Sequence, residues 1–229
     1  MKINKLLFPF YIMFFCSFSL TGDVYKAPSL RFDLKDFKLQ IPGPVDIKEL
    51  NNYASQYFYL TTDSLMCFSL DASEQGHTAN SSFVRSELRH ITNWYASEKH
   101  HLKATLKVNS DVQVYKVTVL QIHGITIDNK NAPPLLRIAV NNNNLYCFVK
   151  TDNRGDNTEK TLLKEDVYNQ FITIEIIVEN NQLNIKLNGQ NKYSKDLHFW
   201  EYKNYFKLGC YPQVHQGIFS IYFKSFEVN

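Results

Sequence analysis

The chain has 229 residues, 44% hydrophobic and 21% charged, which suits one soluble domain with a sizeable core and excludes a disordered chain. A formal net charge of +3 is too small to argue for nucleic acid, and no nucleic-acid module motif is present. The sequence has no C-x-x-C or H-E-x-x-H spacing, so neither a metal site nor another cofactor is expected.

Lys2 and Lys5 precede an apolar run over residues 6–20. A positive segment followed by a short apolar one reads as a secretory signal peptide over residues 1–22; a retained membrane anchor is the rival reading, with an apolar run that is short for a span. The expectation is a secreted, extracellular protein, or a periplasmic one in a Gram-negative source. No stable membrane association is expected after signal removal. Residues 23–229 then form a single domain. Export permits disulfides. With Cys16 removed, Cys67, Cys147 and Cys210 remain, so at most one bridge forms, with Cys67–Cys147 as the candidate pair. Cys210 is expected as a buried free thiol.

Fourteen tyrosines, seventeen phenylalanines and few alanine- or glutamate-rich runs favour β structure. Residues 32–41 read as a first strand, stopped by Pro42-Gly43-Pro44. Residues 45–53 read as a loop or helical turn. Residues 58–60 and 65–70 alternate as strands, and 71–80 form a polar loop. In the stretch around 83–89, Arg85, Glu87 and Arg89 share one face while Val84 and Leu88 share the other. Residues 99–108 and 112–123 also alternate. In the second of these, Gln121 and His123 lie on one face with Leu120 and Ile122 behind. Residues 124–134 read as a loop ending in Pro133-Pro134. Residues 135–140 and 145–150 form a hairpin across an asparagine turn, and 151–166 read as loop. Residues 171–178 and 183–187 form another hairpin, and Asn188-Gly189 starts the next turn.

The last two strands cover 205–213 and 218–228. In the first, Tyr205, Lys207, Tyr211 and Gln213 point one way around Gly209, while Phe206, Leu208 and Cys210 point the other way. Many short strands and no helix-period stretch imply an all-β sandwich or jelly roll of two antiparallel sheets.

Three polar strand faces thus stand in order as Arg85-Ser86-Glu87-Leu88-Arg89, Gln121-Ile122-His123 and Tyr205 to Gln213. This series resembles the R-[ST]-E-L-R, Q-[IV]-H and Y-F-K-x-G-x-Y-x-Q blocks of alginate lyases of polysaccharide lyase family 7. Residues 32–42 are similar to that family's opening strand. The resemblance implies a β-jelly roll with an open concave cleft, and a monomer whose partner is an anionic polysaccharide, alginate. It implies catalysis by His123, Tyr211, Arg85 and Gln121, with Arg89, Lys207, Glu87, Tyr205 and Gln213 in substrate binding.

The chemistry suits these residue types. β-Elimination of a uronate removes the C5 proton and breaks the C4–O bond. The carboxylate must be neutralised as charge builds, a role for Arg85 and Gln121. His123 is the candidate base and Tyr211 the candidate acid. Glu87 is expected to orient the arginines. Arg89 and Lys207 are expected to grip neighbouring carboxylates or orient Tyr211. The Q-I-H form of the second block is associated with guluronate-containing or mixed links. The alternatives are a lyase on another polyuronate such as glucuronan, and a non-catalytic carbohydrate-binding module. The family pattern differs here at Leu208, Cys210 and Pro212.

Overall fold

A computed structural model describes residues 25–43, 45–77, 81–128 and 130–229. The expected signal peptide, with Cys16, lies outside the described residues. Among the described residues, no helix is long and apolar enough to cross a membrane.

Within the described residues, fifteen strands form two antiparallel sheets. In spatial order, the eight-stranded sheet holds β10 (Thr158–Lys164), β9 (Asn144–Lys150), β8 (Asn131–Asn141), β7 (Lys116–Ile125), β14 (Lys203–Pro212), β5 (Ser86–His90), β1 (Phe37–Ile41) and β2 (Val45–Ile47). The seven-stranded sheet holds β13 (Gln190–Asp196), β12 (Gln182–Leu187), β11 (Ile172–Glu179), β6 (His100–Ser110), β15 (Ile218–Val228), β4 (Met66–Asp71) and β3 (Phe58–Leu60). This is the expected jelly-roll sandwich.

Alternation along each strand builds the core. Leu88, Leu120, Ile122, Phe206, Leu208 and Cys210 turn inward from the eight-stranded sheet and are fully buried. They share one apolar cluster with Leu102, Leu106, Ile174, Phe219 and Phe223 of the opposing sheet. The polar residues between them are therefore directed to the outer face of the eight-stranded sheet.

Asparagine explains several tight hairpins. Asn142 and Asn143 have φ of 47° and 66°, Asn180 and Asn181 have 52° and 58°, and Asn188 has 48°. A two-residue hairpin turn of this hand requires positive φ, which asparagine tolerates better than most residues.

The fold differs from the sequence expectation at several strands, among them β13 (Gln190–Asp196), which follows the Asn188-Gly189 turn, and β7, which begins at Lys116. The first strand begins at Phe37, because a short 3-10 turn at Pro28–Leu30 and tight turns occupy the residues before it. Residues 45–47 form β2 rather than a loop or helical turn. β8 begins at Asn131 and includes Pro133 and Pro134. There it has β7 on one side only, since its pairing with β9 begins at Leu136, and a strand edge tolerates proline's missing N–H. Residues 158–164 form β10, a polar edge strand with too weak an apolar alternation to stand out in the sequence. Cys67, Cys147 and Cys210 are all buried and free, so the candidate Cys67–Cys147 bridge is absent.

Candidate active site

Three adjacent strands, β5, β14 and β7, bring the three sequence blocks together. Lys207 pairs with Arg89 on one side and Gln121 on the other. Gly209 pairs with Glu87, and Tyr205 with His123. The β14–β7 register shifts between Leu208 and Tyr211, which places Tyr211 opposite Thr118. Gly209 makes this possible. Its φ is +147°, and a Cβ there would lie 2.4 Å from the Ser86 carbonyl oxygen and 2.7 Å from the Glu87 Cα. Only glycine fits without moving the backbone.

Glu87 is the hub. It is 0% exposed, yet it accepts from Gln121 Nε2 through Oε1 and from Lys207 Nζ through Oε2, both at 2.5 Å. Arg85 Nη1 lies 3.5 Å from the same Oε2. Burial would raise the Glu87 carboxyl, but the Lys207 and Arg85 charges and the two hydrogen bonds outweigh it, so the group lies below its ordinary range and stays ionised. Lys207 is 2% exposed. Burial pushes its ammonium down to about 8, and nearby Arg85 works in the same direction against the pull of Glu87. The structure therefore gives Lys207 to Glu87, not to an open gripping position.

His123 is partly buried, and its Nδ1 lies 3.0 Å from the Gly124 carbonyl oxygen. A carbonyl only accepts, so Nδ1 carries the hydrogen and Nε2 keeps its lone pair. Burial, and then the Lys207 charge, push the imidazole down to about 4. His123 is therefore neutral, and a proton acceptor, at neutral pH. Its ring stacks on Tyr205 with centroids 5.2 Å apart, and the Arg89 guanidinium lies 4.0 Å from the Tyr205 centroid. Tyr205 is 5% exposed and acts as a packed spacer between them. Arg89 also donates to Asn93 Oδ1 at 3.3 Å and makes no ion pair with Glu87.

Tyr211 sits at the other end of the site. The Arg85 guanidinium lies 4.3 Å from its ring centroid, and Phe83 meets it edge-on. Its hydroxyl is 2.8 Å from Ser81 Oγ. Ser81 Oγ donates its one hydrogen to the Phe83 carbonyl at 2.9 Å, so toward Tyr211 it accepts. The phenol thus rests as a hydrogen-bond donor. Gln213 is spent on the protein: its Nε2 donates to the Tyr211 carbonyl at 2.8 Å, and its Oε1 accepts from Thr118 Oγ1 at 3.0 Å.

The site therefore has a middle row and two ends. Gln121 keeps a second amide N–H in the middle, beside the Arg85 guanidinium, whose buried Nε has no partner among the described residues. His123 and Tyr211 approach this row from opposite ends. Sequence reasoning missed Ser81 and Phe83, which lie ahead of the first block and carry no motif. It also missed Arg137, which the register places directly beside Gln121. Arg137 stands between buried Leu136 and Ile138, and that alternation was the available signal.

Comparison with known proteins follows the same lines. A family model described as "Alginate lyase" matches residues 32–228. A protein named alginate lyase from Photobacterium sp. is 30% identical over 138 residues, covering 48% of this chain and 48% of that protein. The chain thus spans about half the length of the curated relative it matches. Among solved structures, alginate lyase A1-II′ superposes with a TM-score of 0.81 at 31% identity, covering 89% of this chain and 98% of that one. A variant of that enzyme with a histidine and a tyrosine replaced, in complex with substrate (GGMG), gives 0.82 at 31% identity, covering 89% and 96%. An alginate lyase from Pseudomonas aeruginosa gives 0.75 at 25% identity, covering 86% and 99%.

Proposed function

The chain belongs to the alginate lyase family, and from this premise we propose that it is a secreted lyase that cleaves alginate by β-elimination at guluronate-containing or mixed links. The observation that carries the reading is the arrangement around Glu87. One buried carboxylate fixes Arg85, Gln121 and Lys207, with a neutral imidazole at one end and a donating phenol at the other.

In this reading, the Arg85 guanidinium and the free N–H of Gln121 bind the substrate carboxylate and stabilise the charge that builds there. His123 Nε2 takes the C5 proton. The electron pair of that C–H bond forms the C4–C5 double bond as the C4–O bond breaks. Tyr211 gives its proton to the departing O4. Nothing is oxidised, and the proton lost by the phenol is restored when His123 releases the one it gained. Lys207 and Glu87 do not touch the sugar; they keep the carboxylate-binding pair in place.

Two points support the guluronate preference. In guluronate the C5 proton and O4 lie on opposite faces, which suits an acid and a base at opposite ends of the row. A variant of the related enzyme forms a complex with the substrate GGMG. Ile122 is fully buried on the core face, so it acts on this preference only through the position of Gln121 and His123.

The test is a panel of guluronate-rich, mannuronate-rich and mixed alginate, with glucuronan, followed by the ultraviolet absorbance of the conjugated unsaturated uronate. The expected result is a fast rise on guluronate-containing alginate. No rise on any alginate contradicts the reading. A rise on glucuronan alone moves the activity to another polyuronate. Retention on alginate without product makes the chain a binding module.

A further inference from the structure

We propose that the β8–β10 flank of the cleft is a second anion site, in which Lys116, Arg137 and Lys160 hold the carboxylate of a uronate residue of the same polysaccharide, beyond the ring that is cleaved. The inference rests on the proposed function and extends it to residues outside the three sequence blocks.

The register sets the location. Arg137 pairs with Gln121, Phe148 with Arg137, and Lys160 with Phe148. These residues continue the Arg89–Lys207–Gln121 row across three more strands. Neighbouring strands are ~4.8 Å apart, so Lys160 lies roughly 14 Å beyond Gln121, further than one pyranose ring spans. A second row runs from Tyr211 through Thr118 and Ala139 to Tyr146. Both rows lead from the reacting centre onto the same flank.

The charges there lack anions. Lys116 Nζ lies 4.4 Å from the Phe148 centroid, and the Arg137 guanidinium 5.5 Å from it. Lys160 Nζ lies 4.1 Å from the Tyr146 centroid and 5.8 Å from that of Phe148. Among the described residues, none of the three forms an ion pair. Elsewhere on this sheet two lysines do have anions: Lys38 pairs with Asp46, and Lys207 with Glu87. The nearest acidic side chain in sequence, Glu159, turns away to Lys195 at 3.0 Å. Lys150 is occupied, donating to the Gly155 carbonyl and Thr158 Oγ1.

Three cations crowded around two rings repel one another. Burial, then Arg137 and Lys160, lower the Lys116 ammonium. A bound carboxylate relieves that repulsion, and the Tyr146 and Phe148 rings offer an apolar surface to the C–H face of the sugar. An anionic sugar satisfies both features at once, whereas a neutral glycan leaves the charges uncompensated.

The experiment compares wild type with Lys160→Ala, an exposed edge-strand change. Cleavage rates are measured on a short oligouronate and on long alginate. The expected result is a KM for long alginate raised roughly tenfold, as the loss of a charge-assisted contact predicts, with kcat within about twofold. The short substrate, which does not reach the flank, shows little change. A second arm measures binding of long alginate oligomers to His123→Ala protein with and without Lys160→Ala, and reads the site without turnover. Unchanged KM and unchanged binding overturn the second site while leaving the lyase reading intact. Absence of cleavage by wild type overturns the lyase reading, and the binding arm still decides the site.

Discussion

The two outer faces of the sandwich use their cations differently. On the seven-stranded sheet, Lys103 and His101 both approach Glu175, at 3.1 and 3.8 Å, and Lys99 approaches Glu179 at 3.4 Å. On the eight-stranded sheet, one buried carboxylate serves Arg85 and Lys207, while Lys116, Arg137 and Lys160 face aromatic rings. Both faces arise from the same alternation of polar and apolar residues. The seven-stranded face also has one cation against rings, Lys107, 5.2 Å from the Phe171 centroid and 5.1 Å from that of Tyr222, beside charges that close on each other. A face with surplus cations, a fixed neutral imidazole and a donating phenol is suited to an anionic substrate.

The largest effects should come from the two ends of the reacting row. His123→Ala or Tyr211→Phe should lower kcat by about 10²–10⁴-fold, the usual contribution of a general acid or base, with an unchanged circular dichroism spectrum. Full activity in both variants would show that the face of the eight-stranded sheet is no more reactive than that of the seven-stranded sheet.

Glu87→Gln comes next and tests the hub. It removes the anion that faces buried Lys207, and breaking such a pair costs about 3–5 kcal/mol. Urea unfolding should show that loss, with activity falling as Arg85 and Gln121 lose their anchor. A variant as stable as wild type would mean that the Glu87 pairing contributes little.

The pH profile sharpens the contrast between histidines. Because His123 is held down to about 4, it is neutral above that value and protonated below it. The acid limb of kcat/KM should therefore fall near pH 4, below the ordinary imidazole value of about 6.5. A limb near the ordinary value would mean that burial and Lys207 do not act on this ring.

Smaller effects are expected further out. Ser81→Ala removes the acceptor of the Tyr211 hydroxyl, a bond worth about 0.5–1.5 kcal/mol, so kcat should change by a few-fold with KM nearly constant. Glu175→Ala, on the other sheet, should shift stability by about 1 kcal/mol at most and leave cleavage unchanged. A clear loss of activity there would break the comparison between the faces.

Much of this was legible in the sequence. Strict alternation put Arg85, Glu87 and Arg89 on one face, and Gln121 with His123 on another, because the intervening leucines and isoleucines must fill the core. What the sequence did not carry was partnership between distant strands. Lys207 read as a grip on neighbouring carboxylates or a guide for Tyr211, but its ammonium pairs with Glu87, where its charge is buried. Tyr205 read as a sugar contact, but it is packed between Arg89 and His123. Gln213 read as a substrate contact, but its amide bonds to the Tyr211 carbonyl and to Thr118. The flank of Lys116, Arg137 and Lys160 stayed hidden for a related reason: β10 is polar enough to look like loop, and Phe148 gains its meaning only beside it.

The most direct test of the central claim is the mass of the fragments released from alginate by the purified protein. Elimination predicts new non-reducing ends that are one water lighter than hydrolytic ends, made by wild type and missing from His123→Ala digests. Fragments carrying the full water, or intact polymer after prolonged incubation with wild type, would contradict the account.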